Sequence, residues 1–167
     1  KLILGGIQET NFPISYDEQD NIKLEYCKLF KGKDFSGKIF NRDFIGPSSK
    51  TLQIINLQNI NEDSTVPNIR KNYTVTDKAD GIRKLLFISQ NGKIYLIDTN
   101  MNVQFTGCTV KTAKDFAGSL LDGEHIIHNK NGGFINLYAA FDIYFIKYQS
   151  VREKLFAPLS SDDIKNN

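Results

Sequence analysis

Short apolar runs of strand length, separated by tight-turn sequences, recur through the second half of this 167-residue chain. Leu85–Ile88 and Ile94–Ile97 are two such runs, and the Gln-Asn-Gly-Lys sequence at residues 90–93 between them is typical of a hairpin turn. Further along, a Gly-rich turn at residues 129–133 precedes a long apolar run, Phe134–Ile146. Strands joined by tight turns pair in antiparallel fashion. The pattern therefore predicts a β-meander that folds into an antiparallel sheet.

One segment in this half has helical periodicity. Lys111–Leu120 carries apolar residues at spacings of three and four, which places them on one face of a short helix. These residues are Ala113, Phe116, Ala117 and Leu120. With the short strand expected at Val103–Phe105, the segment predicts an α+β fold that is mainly antiparallel sheet.

Residues 1–42 are predicted to be a separate part of the chain, a leader or the tail of a preceding module. Ile22–Tyr26 alternates apolar and polar residues as a half-buried strand does, and Gly32 and Gly37 are typical of turns. We therefore expect an ordinary β-hairpin that packs on the domain formed by residues 43–167. The chain begins with Lys1, which favours a fragment of a longer protein.

The composition sets limits on the function. The net charge of +2 and the pI near 8.5 are only mildly basic, so they permit an RNA partner without requiring one. Cys27 and Cys108 are far apart and in no Cys-x-x-Cys pattern, which indicates neither a disulfide framework nor a zinc site and favours a reducing compartment. No apolar run approaches membrane-spanning length.

Lys78 lies in the segment that bears most directly on function. Thr74 and Val75 are β-formers that lead towards it, the Asp-Gly pair at residues 80–81 is a turn signal, and the apolar run from Leu85 follows. A strand, a lysine, a tight turn and a second strand would hold the amine on rigid backbone at a sheet margin, where a reactive group is well placed. Because most lysines are surface charges, this assignment depends on neighbouring motifs.

Three segments together carry a family resemblance. Residues 78–83, Lys-Ala-Asp-Gly-Ile-Arg, match Lys-x-Asp-Gly-x-Arg, which is motif I of the superfamily of mRNA capping guanylyltransferases and ATP-dependent polynucleotide ligases. Leu120–Ile126 resembles motif III, whose core is Asp-Gly-Glu, and Phe141–Phe145 resembles motif IIIa, an apolar strand with an aromatic residue and an aspartate. The order is that of the family, and the Lys-Ala-Asp-Gly form is most similar to capping enzymes of large DNA viruses.

The resemblance implies a guanylyltransferase that works by covalent transfer in two steps. The amine of Lys78 would attack the α-phosphorus of GTP, forming lysyl-GMP and releasing pyrophosphate, and the GMP would pass to the 5′-diphosphate end of RNA. Two alternatives stay open. An ATP-dependent RNA or DNA ligase shares the lysine chemistry but transfers AMP, and a non-catalytic RNA-binding remnant could retain the fold without turnover.

The resemblance also assigns the other site residues. The residues expected to bind the nucleotide are Asp80, Gly81, Arg83, Glu124 and Phe141. Arg83 would meet either the ribose edge or a carboxylate partner, Glu124 would lie near the ribose, and Phe141 would stack on the guanine. The expected cofactor is Mg²⁺, or Mn²⁺, with Glu124 and Asp142 as its carboxylates. His125 and His128 are three apart on a predicted strand and so point to opposite faces, which argues against a metal ion bound by both.

The same resemblance bears on the rest of the protein. The family's later motifs, a second carboxylate strand and a lysine-rich strand, do not appear in the sequence, so residues 43–167 are expected to be the N-terminal part of a truncated nucleotidyltransferase domain. A Ser-Ser-Asp-Asp sequence at residues 160–163 resembles a helix N-cap. The partners implied are GTP, 5′-diphosphate RNA, and fused triphosphatase and methyltransferase modules, with no membrane. The tail of an RNA triphosphatase module is one alternative for residues 1–42. The expected location is the host cytoplasm or the virion for a viral protein, and the nucleus for a cellular one.

Overall fold

The computed structural model describes residues 12–71, 73–75 and 77–154. These residues fall into two compact units. The first contains the described residues up to Gly46 and from Ala79 onward, and the second contains residues 47–78. Among the described residues of the second unit, the regular element is the 3₁₀ turn Ile54–Leu57. The first unit holds the sheet described below. The predicted helix N-cap at residues 160–163 lies outside the described residues.

A six-stranded antiparallel sheet forms the first unit, with strand order β3-β2-β1-β4-β5-β6. The strands are β1 Ile82–Ile88, β2 Lys93–Asp98, β3 Val103–Thr109, β4 Ser119–His128, β5 Phe134–Ile146 and β6 Gln149–Ser150. The predicted α+β class and mainly antiparallel sheet are confirmed. The short strand β6 pairs only with Phe145 and Ile146, so in the described part of the chain the rest of the outer edge of β5 has no neighbouring strand.

The hairpin between β1 and β2 closes where the sequence predicts. The Gly92 N–H donates to the Ser89 carbonyl at 2.9 Å, and the Ser89 N–H donates to the Lys93 carbonyl at 3.0 Å. Gly92 has φ of 81°, a left-handed conformation that glycine adopts without steric cost. The turn residues therefore fix the register of the two central strands.

The strand predicted at Ile22–Tyr26 is wrong, because these residues lie within a helix, α1 (Tyr16–Lys31). Ser15 caps the helix by accepting a hydrogen bond from the Glu18 N–H at 3.1 Å. The buried residues of α1 are Ile22, Tyr26 and Cys27, a helical rather than an alternating pattern. Five residues were too short a window to separate the two periods. The Ser-x-x-Glu sequence before them is the helix-start signal that decides the question.

The strand expected ahead of Lys78 is also wrong. Residues 73–75 and 77–81 include no strand, and Tyr73 and Val75 are exposed. The physical reason lies in the sheet: β1 has β2 on one edge and β4 on the other, so neither edge can accept a strand from the preceding segment. The Asp-Gly pair at residues 80–81 therefore leads into β1 without turning a hairpin.

The predicted helix Lys111–Leu120 is shorter in the structure. It is the single turn α2, Ala113–Phe116. Gly118 follows with φ of 73°, which is incompatible with continuing the helix, and Leu120 already belongs to β4. Tertiary pairing of β4 with β1 thus overrides the local helical pattern.

The core of the first unit lies between α1 and one face of the sheet. Its fully buried sheet residues include Leu85, Phe87, Tyr95, Ile97 and Leu120. Side chains alternate between faces along a strand, so Arg83 lies on the same face as Leu85. This places a charged residue on the core face at the end of the sheet where β1 begins.

The predicted boundary between residues 42 and 43 stays a prediction. Within the residues described by the structure, no helix is long and apolar enough to cross a membrane.

Candidate active site

The register between β1 and β4 brings motif I and motif III together. Arg83 lies directly opposite Glu124, and Leu85 lies opposite Asp122. Residues that are directly opposite in an antiparallel pair share a face. Arg83, Asp122 and Glu124 therefore extend the core face to the end of the sheet.

Arg83 and Asp122 form a bidentate ion pair. Arg83 Nε donates to Asp122 Oδ1 at 3.0 Å, and Arg83 Nη2 donates to Oδ2 at 2.5 Å. The Asp122 side chain is fully buried, while that of Arg83 is 26% exposed. The hydrogen bond to Asp122 raises the pKa of the Arg83 guanidinium. Bidentate pairing fixes the plane of the guanidinium as well as its position.

Tyr144 on β5 completes the partners of Asp122. Its hydroxyl donates to Asp122 Oδ2 at 2.5 Å. Burial, and then the hydrogen bond to Asp122, raise the pKa of the Tyr144 hydroxyl, so it stays a donor across the physiological range. Both carboxylate oxygens of Asp122 are therefore occupied by donors from the two flanking strands.

Phe44 and Gly46 also lie against the Arg83 guanidinium. The Arg83 Cζ is 5.7 Å from the centre of the Phe44 ring. A Cβ atom added at Gly46 would lie 2.5 Å from Arg83 Nη2 and 2.8 Å from Phe44 Cε1. No side chain larger than that of glycine fits at position 46 without moving the guanidinium.

Glu124 carries the one buried side-chain oxygen or nitrogen atom for which the described residues provide no hydrogen-bond partner, its Oε2. A buried acceptor left without a donor costs about 1–3 kcal/mol, so such an atom in a native fold is expected to meet a water molecule, an ion or a bound ligand. A sugar hydroxyl or a cation would each satisfy a carboxylate oxygen. This is the observation that fits a bound nucleotide at the end of the sheet.

Lys78, Asp80 and Gly81, the motif I residues ahead of β1 that are predicted site residues, are exposed. Lys78 is the last residue of the second unit, and Asp80 belongs to the first. Gly81 has a steric reason in this fold, because a Cβ there would lie 2.7 Å from the His125 carbonyl oxygen. Close approach to β4 therefore requires glycine at position 81, and its predicted contact with a phosphate stays a prediction.

Phe141 and Asp142 lie on β5, where the pairing with β4 shifts register between Asp122 and Gly123. The Phe141 side chain is 40% exposed. Asp142 is opposite Asp122, and its Oδ1 accepts the Ile143 N–H at 2.8 Å. The described residues include no group of three or more His, Cys, Asp or Glu side chains arranged to hold a metal ion. The stacking role of Phe141 and the metal role of Glu124 and Asp142 stay predictions.

His125 and His128 have different surroundings. The buried His125 lies on the opposite face from Arg83, where its Nδ1 is 3.2 Å from Lys84 Nζ and its Nε2 is 2.7 Å from Asn136 Oδ1. Burial lowers the pKa of the His125 imidazole. The exposed His128 packs edge-on against Phe134 instead.

Several residues of the site were missed in the sequence. Asp122 could have been found, because it is two residues before Glu124 and so lies on the same face of β4. Tyr144, Phe44 and Gly46 reach Arg83 or Asp122 through tertiary contacts that no local pattern announces.

A lysine-containing motif I leading into β1, with an arginine on β1 locked to a motif III strand, defines a site of the covalent nucleotidyltransferase class. Comparison with known proteins narrows the class. Residues 13–160 match the family model described as mRNA capping enzyme, catalytic domain. The chain is also 33% identical over 139 residues to a probable mRNA-capping enzyme of Acanthamoeba polyphaga mimivirus. The chain therefore belongs to the family of mRNA capping enzyme catalytic domains.

The match has unequal coverage. It includes 83% of this chain but only 10% of the length of the mimivirus protein. The chain thus spans about a tenth of the curated relative that it matches.

Proposed function

We propose that the protein containing this chain is an mRNA 5′-cap guanylyltransferase. It would take GMP from GTP onto Lys78 and pass it to the 5′-diphosphate end of RNA. The observation that carries the proposal is the buried, partnerless Oε2 of Glu124 beside the Arg83–Asp122 ion pair, where motif I enters the sheet. Membership of the capping enzyme family supports the same activity.

The chemistry of Lys78 comprises two exchanges of bonds at phosphorus. In the first, the deprotonated amine forms a P–N bond to the α-phosphorus of GTP, and the P–O bond to pyrophosphate breaks. In the second, a terminal phosphate oxygen of the RNA forms a P–O bond, and the P–N bond returns its electrons to the lysine nitrogen. Because the same nitrogen is nucleophile and leaving group, its proton must be released before the first step and regained after the second.

The other residues bind and orient the nucleotide. Glu124 Oε2 would accept a hydrogen bond from a ribose hydroxyl, and the fixed fork of Arg83 would donate to the sugar or phosphate edge. Phe141, partly exposed on β5, would stack on the guanine. Asp80 and Gly81 shape the approach of the chain to β1. Orientation of the α-phosphorus is the main contribution expected from this group.

The residues present fit a metal ion that would take some of its ligands from the protein and the others from the substrate. Mg²⁺, or Mn²⁺, would supply positive charge to neutralise the departing pyrophosphate. Glu124 and Asp142 are the proposed carboxylates, and because the described residues include no three-acid cluster, phosphate oxygens would complete the coordination. We include fused triphosphatase and methyltransferase modules, and a viral cytoplasmic or virion location, in the same proposal.

The test is covalent labelling of the longest available form of the protein. The protein is incubated with α-³²P-GTP or, separately, α-³²P-ATP and Mg²⁺, beside a Lys78→Ala variant, and analysed by denaturing electrophoresis. Lys130→Ala, a change in an exposed turn, is the matched control. We expect an acid-labile label from GTP in the wild type and the control, and none in Lys78→Ala.

Two results would contradict the proposal. A label from ATP alone would indicate a ligase. No label from either nucleotide, in protein that includes the downstream part of the domain, would leave a binding domain without transfer activity.

A further inference from the structure

A cleft of about 430 Å³ lies beside the candidate active site, between α1, the segment Ser36–Asn41 and the turn from β2 to β3. Leu24, Ile39 and Met101 are apolar lining residues, Phe40, Asn41 and Asn100 also line the cleft, and so do the charged residues Asp20 and Lys23. The volume is large enough for part of a small ligand rather than for a water molecule alone. Its lining is mixed, with apolar, amide and charged side chains.

Phe40 has the surroundings of a stacking residue. Its side chain is 42% exposed. The Lys38 Nζ and Arg42 Cζ atoms lie 5.7 Å and 4.7 Å from the centre of its ring. A partly exposed aromatic ring with cations beside it is a combination that binds single-stranded nucleic acid, because the exposed part of the ring stacks on a base while the cations meet the phosphates.

The polar groups of the cleft are arranged for the same kind of ligand. The structure gives no hydrogen bond to the side-chain amides of Asn41 and Asn100 within the residues it describes, so both can meet the edge of a base. The acidic groups nearby are already engaged. Asp20 is 3.4 Å from Lys23 Nζ, and Asp98 accepts the backbone N–H groups of Asn100 and Asn102. Asp20 and Lys23, the charged residues that line the cleft, are paired with each other, so Lys38 and Arg42 beside Phe40 add further positive charge next to it.

The wall that carries Phe40 is held by buried polar contacts. Tyr26, fully buried on α1, donates to the Asp43 carbonyl at 2.8 Å and accepts the Ile45 N–H at 3.0 Å. Asp43 Oδ2 accepts the Phe40 N–H at 2.8 Å, and Asp43 Oδ1 lies 2.6 Å from Lys31 Nζ. A wall fixed in this way loses little conformational entropy when a ligand binds.

The cleft opens at the same end of the sheet as the ion pair. Asp98, which ends β2, is opposite Lys84, the neighbour of Arg83. The turn of the cleft therefore begins about one strand spacing, roughly 4.8 Å, from β1. Phe44, three residues after Asn41, lies against Arg83. A strand of RNA whose 5′ end is at the nucleotide site can reach the cleft with its first nucleotides.

We propose that this cleft binds the first nucleotides of the acceptor RNA as a single strand. Phe40 stacks on a base, Lys38 and Arg42 bind its flanking phosphates, and Asn41 and Asn100 contact the base edge. The proposal rests on the guanylyltransferase function for the identity of the RNA. The binding itself can be measured without that function.

The test compares Phe40→Ala and a Lys38→Ala/Arg42→Ala double variant with two controls in the full-length protein. The controls are Phe116→Ala, a half-exposed ring on α2, and Lys130→Ala. Fluorescence anisotropy measures binding of a short single-stranded 5′-diphosphate RNA. We expect Phe40→Ala to weaken binding by about fivefold or more, the lower end of what losing one stacked base costs.

Two further measurements separate the cleft from the nucleotide site. The double variant should reduce the slope of log affinity against log salt by about 1.4, because each phosphate contact on a single strand contributes about 0.7. Labelling by GTP alone should persist in Phe40→Ala, while the KM for RNA in the transfer step rises. The proposal is overturned if Phe40→Ala and Phe116→Ala bind RNA equally well, which would leave the cleft to a protein partner.

Absence of GTP labelling in the wild type has a different meaning. It would contradict the guanylyltransferase function, and the anisotropy comparison would still decide whether the cleft binds RNA.

Discussion

Asp122→Asn is the substitution whose effect the structure specifies most closely. It removes the negative charge from a fully buried group that accepts hydrogen bonds from Arg83 and Tyr144. The new amide also places N–H donors against donors. Breaking a buried ion pair by removing one partner costs about 3–5 kcal/mol of stability. Because Arg83 is partly exposed and can be solvated, we expect the lower value, about 3 kcal/mol. At about 2–4 °C for each kcal/mol in a chain of this size, the melting temperature should fall by about 6–12 °C.

Tyr144→Phe is the graded companion, because it removes one hydroxyl and leaves the Arg83–Asp122 pair intact. A hydrogen bond to a charged group contributes about 1.5–3 kcal/mol, and the lower value applies here because Asp122 keeps Arg83 as a partner. We expect a fall of about 3–6 °C. Tyr148→Phe, the same chemical change on a side chain that is 48% exposed, is the control.

Circular dichroism against temperature measures all three variants. The reasoning fails if Tyr144→Phe has the same melting temperature as Tyr148→Phe. It also fails if Asp122→Asn lowers the melting temperature no more than Tyr144→Phe does. Either result would mean that Asp122 is not the shared acceptor of the two flanking strands. In the labelling assay, Asp122→Asn should also raise the KM for GTP, because Arg83 loses its fixed orientation.

Three further predictions test other contacts. Burial alone would raise the pKa of the Asp43 carboxyl, but the hydrogen bond and charge of Lys31 hold it below its usual value. The stabilisation is therefore present above the unfolded pKa of about 3.9 and is lost as pH falls through the folded value, so urea titrations should find Asp43→Asn about 1.5–3 kcal/mol less stable at pH 6 and equal to wild type near pH 2. Gly46→Ala should reduce GTP labelling by displacing Arg83, and unchanged labelling would show that the guanidinium can shift without loss. Glu124→Gln should abolish labelling while leaving stability the same or up to about 1 kcal/mol higher, since it removes a buried charge; marked destabilisation would indicate a structural role.

The second half of the fold was predictable because its signals are local. Turn residues such as Asn91 and Gly92 favour a hairpin through local conformation, and the apolar runs between turns gave the positions of β1 and β2, although β1 begins three residues earlier than predicted, at Ile82. The helix at Tyr16–Lys31 was missed because a five-residue alternation was given more weight than its capping sequence. The segment before Lys78 was misjudged because β-propensity cannot report whether a sheet edge is available.

The site was predictable only in part. Arg83 and Glu124 came from motifs, and the register of β1 against β4 places them directly opposite each other. The contacts of Tyr144 and Gly46 depend on three-dimensional packing, so the sequence held no local sign of either. A residue that positions another through a tertiary contact can be identified only from the three-dimensional structure, whereas a residue that belongs to a motif can be identified from the sequence.

The pairing of β1 with β4 has a consequence for how the site forms in time. The hairpins β1–β2, β2–β3 and β4–β5 join neighbours in sequence, but β1 and β4 are separated by residues 89–118. Closing a long loop is entropically costly, and non-local strand pairing slows folding. Arg83 lies on β1 and Glu124 lies on β4, so this late pairing is what brings them together. A newly made chain can therefore form the hairpins β1–β2, β2–β3 and β4–β5 and still lack a nucleotide site. We expect nucleotide binding to appear in a single late folding step, when β1 pairs with β4.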